Sequence, residues 1–193
     1  MSKTQPNPAV SSSHRSRAGH YEILGETYAK FEFFEKGWNP YSRFLDVDKV
    51  DLILRKNING IPIYREIQVK YGKLHDVGQK WESALFDVTS WRFFDEDEFA
   101  EYLGRTDFYI AYILAHDNGY QGDIFIFPVM DFAYMLKQAI PVASNKGQRK
   151  VYLSRLRSDQ SKWVLRKQNK FVEVSGETTL DVSKYRRDFS ILM

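Results

Sequence analysis

Val50-Asp51-Leu52-Ile53-Leu54-Arg55 and the run from Ile61 to Tyr71, which contains Glu66-Ile67-Gln68-Val69-Lys70, lie either side of Asn57-Ile58-Asn59-Gly60. Two apolar, β-branched segments joined through Asn-Gly predict an antiparallel hairpin. Side chains alternate faces along a strand, so Glu66, Gln68 and Lys70 project to one side while Ile67 and Val69 project to the other. Asp51 leads the first strand directly, and its carboxylate can reach that polar face. Asp46 and Asp48, a few residues earlier, suit a turn.

Outward from the hairpin, the apolar positions Ile23, Leu24, Thr27, Tyr28, Phe31 and Phe34 share one helical face between Tyr21 and Lys36. Gly37 is a natural stop for that helix, and Pro40 prevents its continuation. Strands are predicted over Tyr41–Leu45, Val50–Arg55 and Ile61–Tyr71, then a polar loop from Gly72 to Trp81 carrying His75. Ala84–Phe94 reads as either strand or helix, and Asp95–Leu103 as a short acidic helix ended by Gly104. Strands follow over Phe108–Leu114 and Asp123–Phe127 around the turn Asp117-Asn118-Gly119, with a helix over Asp131–Ala139 stopped by Pro141. Short strands over Lys150–Leu156, Lys162–Arg166 and Lys170–Val174 close the chain. Residues 1–19, with Pro6, Pro8 and Ser11-Ser12-Ser13, read as a flexible tail, and 20–193 as one α/β domain.

The 193 residues are 43% hydrophobic and 16% aromatic, which suits a globular domain with a sizeable core. No apolar run approaches the roughly 20 residues that span a membrane, and no secretory h-region opens the chain. Zero cysteines exclude disulfides, iron–sulfur clusters and cysteine zinc sites, and fit a cytoplasmic setting. His14, His20, His75 and His116 lack metal-ligand spacing. The net charge of +3 equals Lys3, Arg15 and Arg17; the body beyond them is neutral but segregated. Asp87 to Asp131 holds 10 acids and 2 bases, whereas Lys146 to Lys170 holds 9 bases and 1 acid. The basic segment reads two ways. Arg149, Lys150, Arg155, Arg157, Arg166 and Lys167 either track nucleic-acid phosphates or face the acidic half of their own chain.

Hydrolysis of a phosphodiester needs a cation to neutralise the phosphate and to generate hydroxide. A Mg²⁺ held by one or two carboxylates and several waters does both, and a lysine beside it meets the charge that develops in the transition state. Asp51 and Lys70 are the residues for that chemistry. The order helix, strand, strand with acid, strand with x-x-Lys resembles the PD-(D/E)XK nuclease superfamily. Asp51 matches its first acid, Gln68 its second position and Lys70 its lysine. Gly25-Glu26-Thr27-Tyr28-Ala29 and Gly37-Trp38-Asn39-Pro40 resemble the first helix and bend of the branch containing archaeal Holliday-junction resolvases and many restriction enzymes, where a helix glutamate, here Glu26, joins the metal site.

The resemblance covers residues 21–71 and implies a restriction endonuclease-like core, a central mixed β-sheet flanked by α-helices. It also implies a Mg²⁺- or Mn²⁺-dependent endonuclease acting on DNA, with Asp51, Gln68 and Glu26 at the metal and Lys70 at the phosphate. A homodimer would supply the two centres that duplex cleavage requires. Gln68 stands where most members carry an acid, though Gln-x-Lys variants are active in this superfamily. Glu66, one pleat away, is a candidate for the missing charge. Two alternatives stay open: a DNA-binding protein on an inactive nuclease-like fold, and a non-enzymatic interaction protein.

Overall fold

In a computed structural model the described residues are 9–42 and 49–193, with side chains from residue 20. Helix α1 (Ala9–Glu35) leads into strands β1 (Asn39–Ser42), β2 (Leu52–Ile58) and β3 (Ile61–Asp76). A short helix α2 (Lys80–Leu85) precedes β4 (Phe86–Asp95), followed by β5 (Phe108–His116), β6 (Gly119–Pro128) and α3 (Val129–Gln138). Strands β7 (Ile140–Pro141), β8 (Gln148–Leu156), β9 (Trp163–Arg166) and β10 (Thr179–Asp181) complete the order.

The hairpin at the centre of the sequence forms as its turn residues dictate. Asn59 and Gly60 both take positive φ (52° and 85°), the geometry of a two-residue turn whose twist matches the strands. β2 and β3 pair antiparallel with Leu52 opposite Ile67. β3 then pairs parallel to β5, Gln68 opposite Ile110, and β5 pairs antiparallel to β6. β5 is buried on both faces, as a central strand must be. Its residues Tyr109, Ala111 and Ile113 join the core under α1, and Ile110, Tyr112 and Leu114 join a second core on the opposite side.

That second core is closed by strands rather than by helices alone. β4, β8, β9 and β10 form an antiparallel sheet whose Val88, Phe94, Val151, Leu153, Trp163 and Leu165 pack against the back of β5 and β6, with α3 at one side. The expectation of a sheet flanked by helices is therefore met on the α1 face only. The aromatic, β-branched second half of the chain builds a second sheet over the other face.

β3 links the two sheets. It does not end at Tyr71 but continues to Asp76, pairing Leu74 with Ser90 of β4. Gly72 permits this: a Cβ there would lie 2.5 Å from Ser90 Oγ and 2.8 Å from Leu114 Cδ2. The residue that reads as a strand breaker is thus a point of close approach between sheets.

Other departures have local causes. α1 begins at Ala9, within the expected tail: Pro6 and Pro8 lie upstream of its first residue and no proline lies between Ala9 and Tyr21. It stops as expected: Gly37 takes φ 76°, its N–H donates to Phe34, and Trp38 N–H donates to Phe33. The buried face of α1, however, is Gly25, Ala29, Glu32 and Phe33, while Ile23, Phe31 and Phe34 are exposed. Small residues let the helix approach β3, where a Cβ on Gly25 would sit 3.1 Å from Tyr71 Cβ. Glu32 is tolerated inside because Tyr120 and both Arg187 terminal nitrogens donate to it at 2.7–3.0 Å.

Asp95–Leu103 is not an α-helix but turns and one 3₁₀ turn, Ala100–Tyr102. The four consecutive acids give no apolar stripe, and only Phe99 and Tyr102 are buried. Lys170–Val174 is not a strand; β9 instead pairs with β10, Thr179 opposite Arg166. β1 accounts for the start of the expected Tyr41–Leu45 strand; its later residues, with Asp46, Asp48 and the side chain of His14, lie outside the described residues.

Candidate active site

A cleft of about 340 Å³ opens between α1 and the middle of β3. Glu26, Asp51, Gln68 and Lys70, singled out from the sequence, all line it. So do Glu98, Lys49 and Arg92, which the sequence did not single out for this site.

Asp51 stands one residue ahead of β2, and its backbone N–H extends the ladder by donating to Ile67 at 2.9 Å. Its carboxylate reaches across to β3, where Oδ2 accepts from Val69 N–H at 2.6 Å and from Gln68 Nε2 at 2.8 Å. The Gln68 amide is thereby oriented: its nitrogen faces Asp51, and its carbonyl oxygen Oε1 is buried with no hydrogen-bond partner. Gln68 as a whole is only 8% exposed. A buried acceptor left unmade costs about 1–3 kcal/mol, so such an atom beside a cleft calls for a reason.

Lys70 donates to Glu98 Oε1 at 2.7 Å, with both side chains largely buried. Lys49 donates to the Glu98 carbonyl at 2.5 Å and holds φ at 47°, an uncommon conformation for a residue with a side chain. Phe99 lies under both ammonium groups, 5.7 Å from Lys70 and 5.9 Å from Lys49. Arg92 donates to the Tyr71 carbonyl at 2.9 Å from β4. Four carboxylates (Glu22, Glu26, Asp51, Glu98) and three cations (Lys49, Lys70, Arg92) therefore line one cleft. Glu26 sits at the rim, 3.5 Å from Lys30 one turn along α1.

Glu66 lies elsewhere. It pairs with Arg105 at 2.9 Å, and Arg105 also holds Asp107 at 2.8 Å. The charge that Glu66 was expected to lend Gln68 is committed to that pair, outside the cleft lining. Glu98 was legible only as one of four acids in Asp95-Glu96-Asp97-Glu98; the signal that picks it out is Phe99, whose burial turns its neighbour inward.

The basic C-terminal segment is extensively paired within the chain. Arg149 meets Glu96 at 2.6 Å, Arg155 meets Asp87 at 2.9 Å, and Arg166, 1% exposed, meets Glu82 at 2.6 Å. Arg157 donates to the Phe86 carbonyl at 3.4 Å and Lys167 to the Gly176 carbonyl at 2.6 Å. Lys150 lies over the rings of Trp91 and Tyr152. Trp38 and Trp163 are core residues, and Trp91 is 45% exposed.

Among the described residues, no group of three or more acidic or histidine side chains is gathered closely enough to hold a metal. A centre of fewer carboxylates with a carbonyl oxygen is a different donor set. Asp51 and the unpartnered Gln68 oxygen are both hard oxygen donors, and Mg²⁺ keeps several waters beyond one or two carboxylates. The residues present fit such an ion. No helix among the described residues is long and apolar enough to cross a membrane. No family model, curated protein or solved structure matches the chain.

Proposed function

We propose that this chain is a divalent-metal-dependent endonuclease that hydrolyses DNA phosphodiesters on a restriction endonuclease-like core. One observation carries the reading: Asp51, Gln68 and Lys70 line a single cleft, and the buried Gln68 carbonyl oxygen has no hydrogen-bond partner. The sheet supports it: β1, β2 and β3 pair antiparallel and β3 pairs parallel with β5, a mixed sheet of the kind the resemblance implies.

Asp51 and Gln68 Oε1 would hold Mg²⁺ or Mn²⁺, which when bound polarises the phosphate and acidifies water. The two bonds to Asp51 Oδ2 fix the carboxylate before any ion arrives, so little reorganisation remains. Glu98 and Glu26 are the carboxylates available in the cleft to replace the acid that Gln68 lacks. Lys70 exchanges Glu98 for a phosphate oxygen when substrate enters, leaving Glu98 free to face the ion. The attacking water forms the new P–O bond as the ester P–O bond breaks, with the leaving oxygen taking a proton. Arg92 and Lys49 add positive charge along the path of the backbone. A homodimer belongs to this reading.

A second reading has its own support. The neutralised hairpin, with Arg149, Arg155 and Arg166 paired internally, favours a non-enzymatic interaction protein. Incubation of supercoiled plasmid with purified protein and Mg²⁺ or Mn²⁺ separates them. Cleavage that disappears in EDTA, in Asp51→Ala and in Lys70→Ala supports the nuclease. Intact plasmid in every lane, with DNA still retarded at low salt, supports an inactive DNA-binding protein; intact plasmid without retardation supports the interaction protein.

A further inference from the structure

The face of β4 turned away from the core carries a cluster that the cleft does not use. Trp91 and Phe93 project outward there, 45% and 43% exposed, with rings 5.6 Å apart. Tyr152 stands opposite Trp91 and Lys150 opposite Phe93 on the neighbouring strand β8, so the four side chains form a two-by-two array. Lys150 Nζ lies 4.6 Å from the Tyr152 ring, 4.7 Å from Trp91 and 5.8 Å from Phe93. Val88, Phe94, Val151 and Leu153 on the same strands face the core, so the rings of Trp91 and Phe93 are surplus to packing, while Tyr152 also lies 5.0 Å from the Arg166 guanidinium.

Arg92, between the two exposed rings, points the other way and lines the cleft. One three-residue stretch of β4 thus offers a cation to the cleft and an aromatic platform behind it. The β3–β4 ladder ends at Leu74 opposite Ser90, just before this stretch.

We infer that Trp91, Phe93, Tyr152 and Lys150 form a stacking platform for an unpaired DNA strand that leaves the cleft across β4. The inference rests on the nucleic-acid reading of the cleft and narrows its substrate to DNA with a single-stranded segment. Rings accept any base by its π face, and Lys150 supplies a charge for the phosphate beside it. A protein partner fits less well. Three rings offer roughly 150–250 Å² each when fully covered, and here they are partly covered already, short of the about 800 Å² that each partner contributes to a stable interface. A cation also sits at the centre of the cluster. Asp95, next outward on the same strand face, marks the end that a phosphate backbone avoids.

The test is fluorescence anisotropy in EDTA at low salt with a labelled thymidine oligonucleotide of about 15 nucleotides and a blunt duplex of the same length. The full chain binds the oligonucleotide, and Trp91→Ala/Phe93→Ala weakens it at least about tenfold while changing duplex affinity less than about twofold. Lys150→Glu, which keeps the rings, weakens it as well. Trp91→Phe/Phe93→Tyr restores binding and controls for folding. Oligonucleotide affinity equal in wild type and the alanine variant overturns the platform, as does the absence of oligonucleotide binding by wild type. A dimer in sedimentation that the alanine variant abolishes, with oligonucleotide binding unmoved, overturns it in favour of a second copy. Plasmid left intact while the oligonucleotide still binds through Trp91 sinks the nuclease and spares the platform.

Discussion

The cleft beside β3 and the β8–β9 hairpin are both dense in charge, yet they dispose of it differently. In the hairpin each of three arginines finds its own carboxylate: Arg149 with Glu96, Arg155 with Asp87, Arg166 with Glu82. The segments that look most like opposite electrostatic poles in the sequence are brought together by the β4–β8 pairing, with Arg155 beside Asp87 at one end and Arg149 beside Glu96 at the other. In the cleft, carboxylates and cations are close as well, but they enclose about 340 Å³ and leave a buried acceptor on Gln68 without a donor. Charge composition marks where ions are. Trp163 Nε1 in the hairpin is also buried without an acceptor, but it lies in the apolar core; only an unmade group on a residue lining a cleft marks where a ligand is expected.

Breaking a hairpin pair should therefore unfold, and breaking the cleft should disarm. The largest effect is expected from Glu82→Ala, which strands the Arg166 guanidinium among Phe86, Ser154 and Thr89 with its charge unpaired. Removing one partner of a buried pair costs about 3–5 kcal/mol, read in urea or thermal unfolding. Arg166→Met with Glu82→Leu should recover most of it. Asp51→Ala should instead cost about 1–3 kcal/mol, since it removes the acceptor of Val69 N–H and Gln68 Nε2. It should lower metal-dependent cleavage by a factor of about 10²–10³, in line with removing one preorganised electrostatic group. A loss of stability in Asp51→Ala as large as in Glu82→Ala would place Asp51 with the hairpin residues as a structural acid.

Glu98→Gln sharpens the contrast inside the cleft. If Glu98 supplies the carboxylate missing at Gln68, Mn²⁺ affinity by isothermal titration calorimetry falls about tenfold or more. Glu66→Gln, one pleat from Gln68 but held by Arg105, should leave that affinity where it was. Equal affinities in wild type and Glu98→Gln would restrict Glu98 to neutralising Lys70.

These comparisons also show what the residues disclose before folding. The hairpin was legible because Asn59-Gly60 demands one turn and the flanking runs have one sensible register; Asp51, Gln68 and Lys70 followed from it. The helix over Val129–Gln138 and the strands β5 and β6 read well for the same reason, strong periodicity bounded by turn residues. The face of α1 did not, because the large apolar residues Ile23, Phe31 and Phe34 draw attention from the small ones, Gly25 and Ala29, that make the contact. Gly72 reads as punctuation when it is a crossing point between sheets. Glu98 was hidden in a run of four equivalent acids, and only long-range burial of Phe99 distinguishes it. Local chemistry was readable, then, and residues chosen by contacts distant in sequence were not.

The smallest effect separates a self-neutralised group from a ligand group by its response to pH. Arg105 donates two hydrogen bonds to Asp107 and holds that carboxyl below the usual carboxylate range. A carboxyl depressed in the folded state adds stability above its unfolded value near about 3.9 and loses it as pH falls through the lower folded value. Arg105→Met should thus melt below wild type at about pH 6, with the gap closing as acid protonates Asp107 in both proteins. Asp107 is about half exposed, so solvent screening keeps its share of the gap under about 1 kcal/mol. Mg²⁺ should leave this gap unchanged, since neither Arg105 nor Asp107 lines the cleft. A gap that widened or narrowed with Mg²⁺ would tie Glu66 and its arginine to the metal site after all, and the division between paired charge and ligand charge would have to be redrawn through β3 itself.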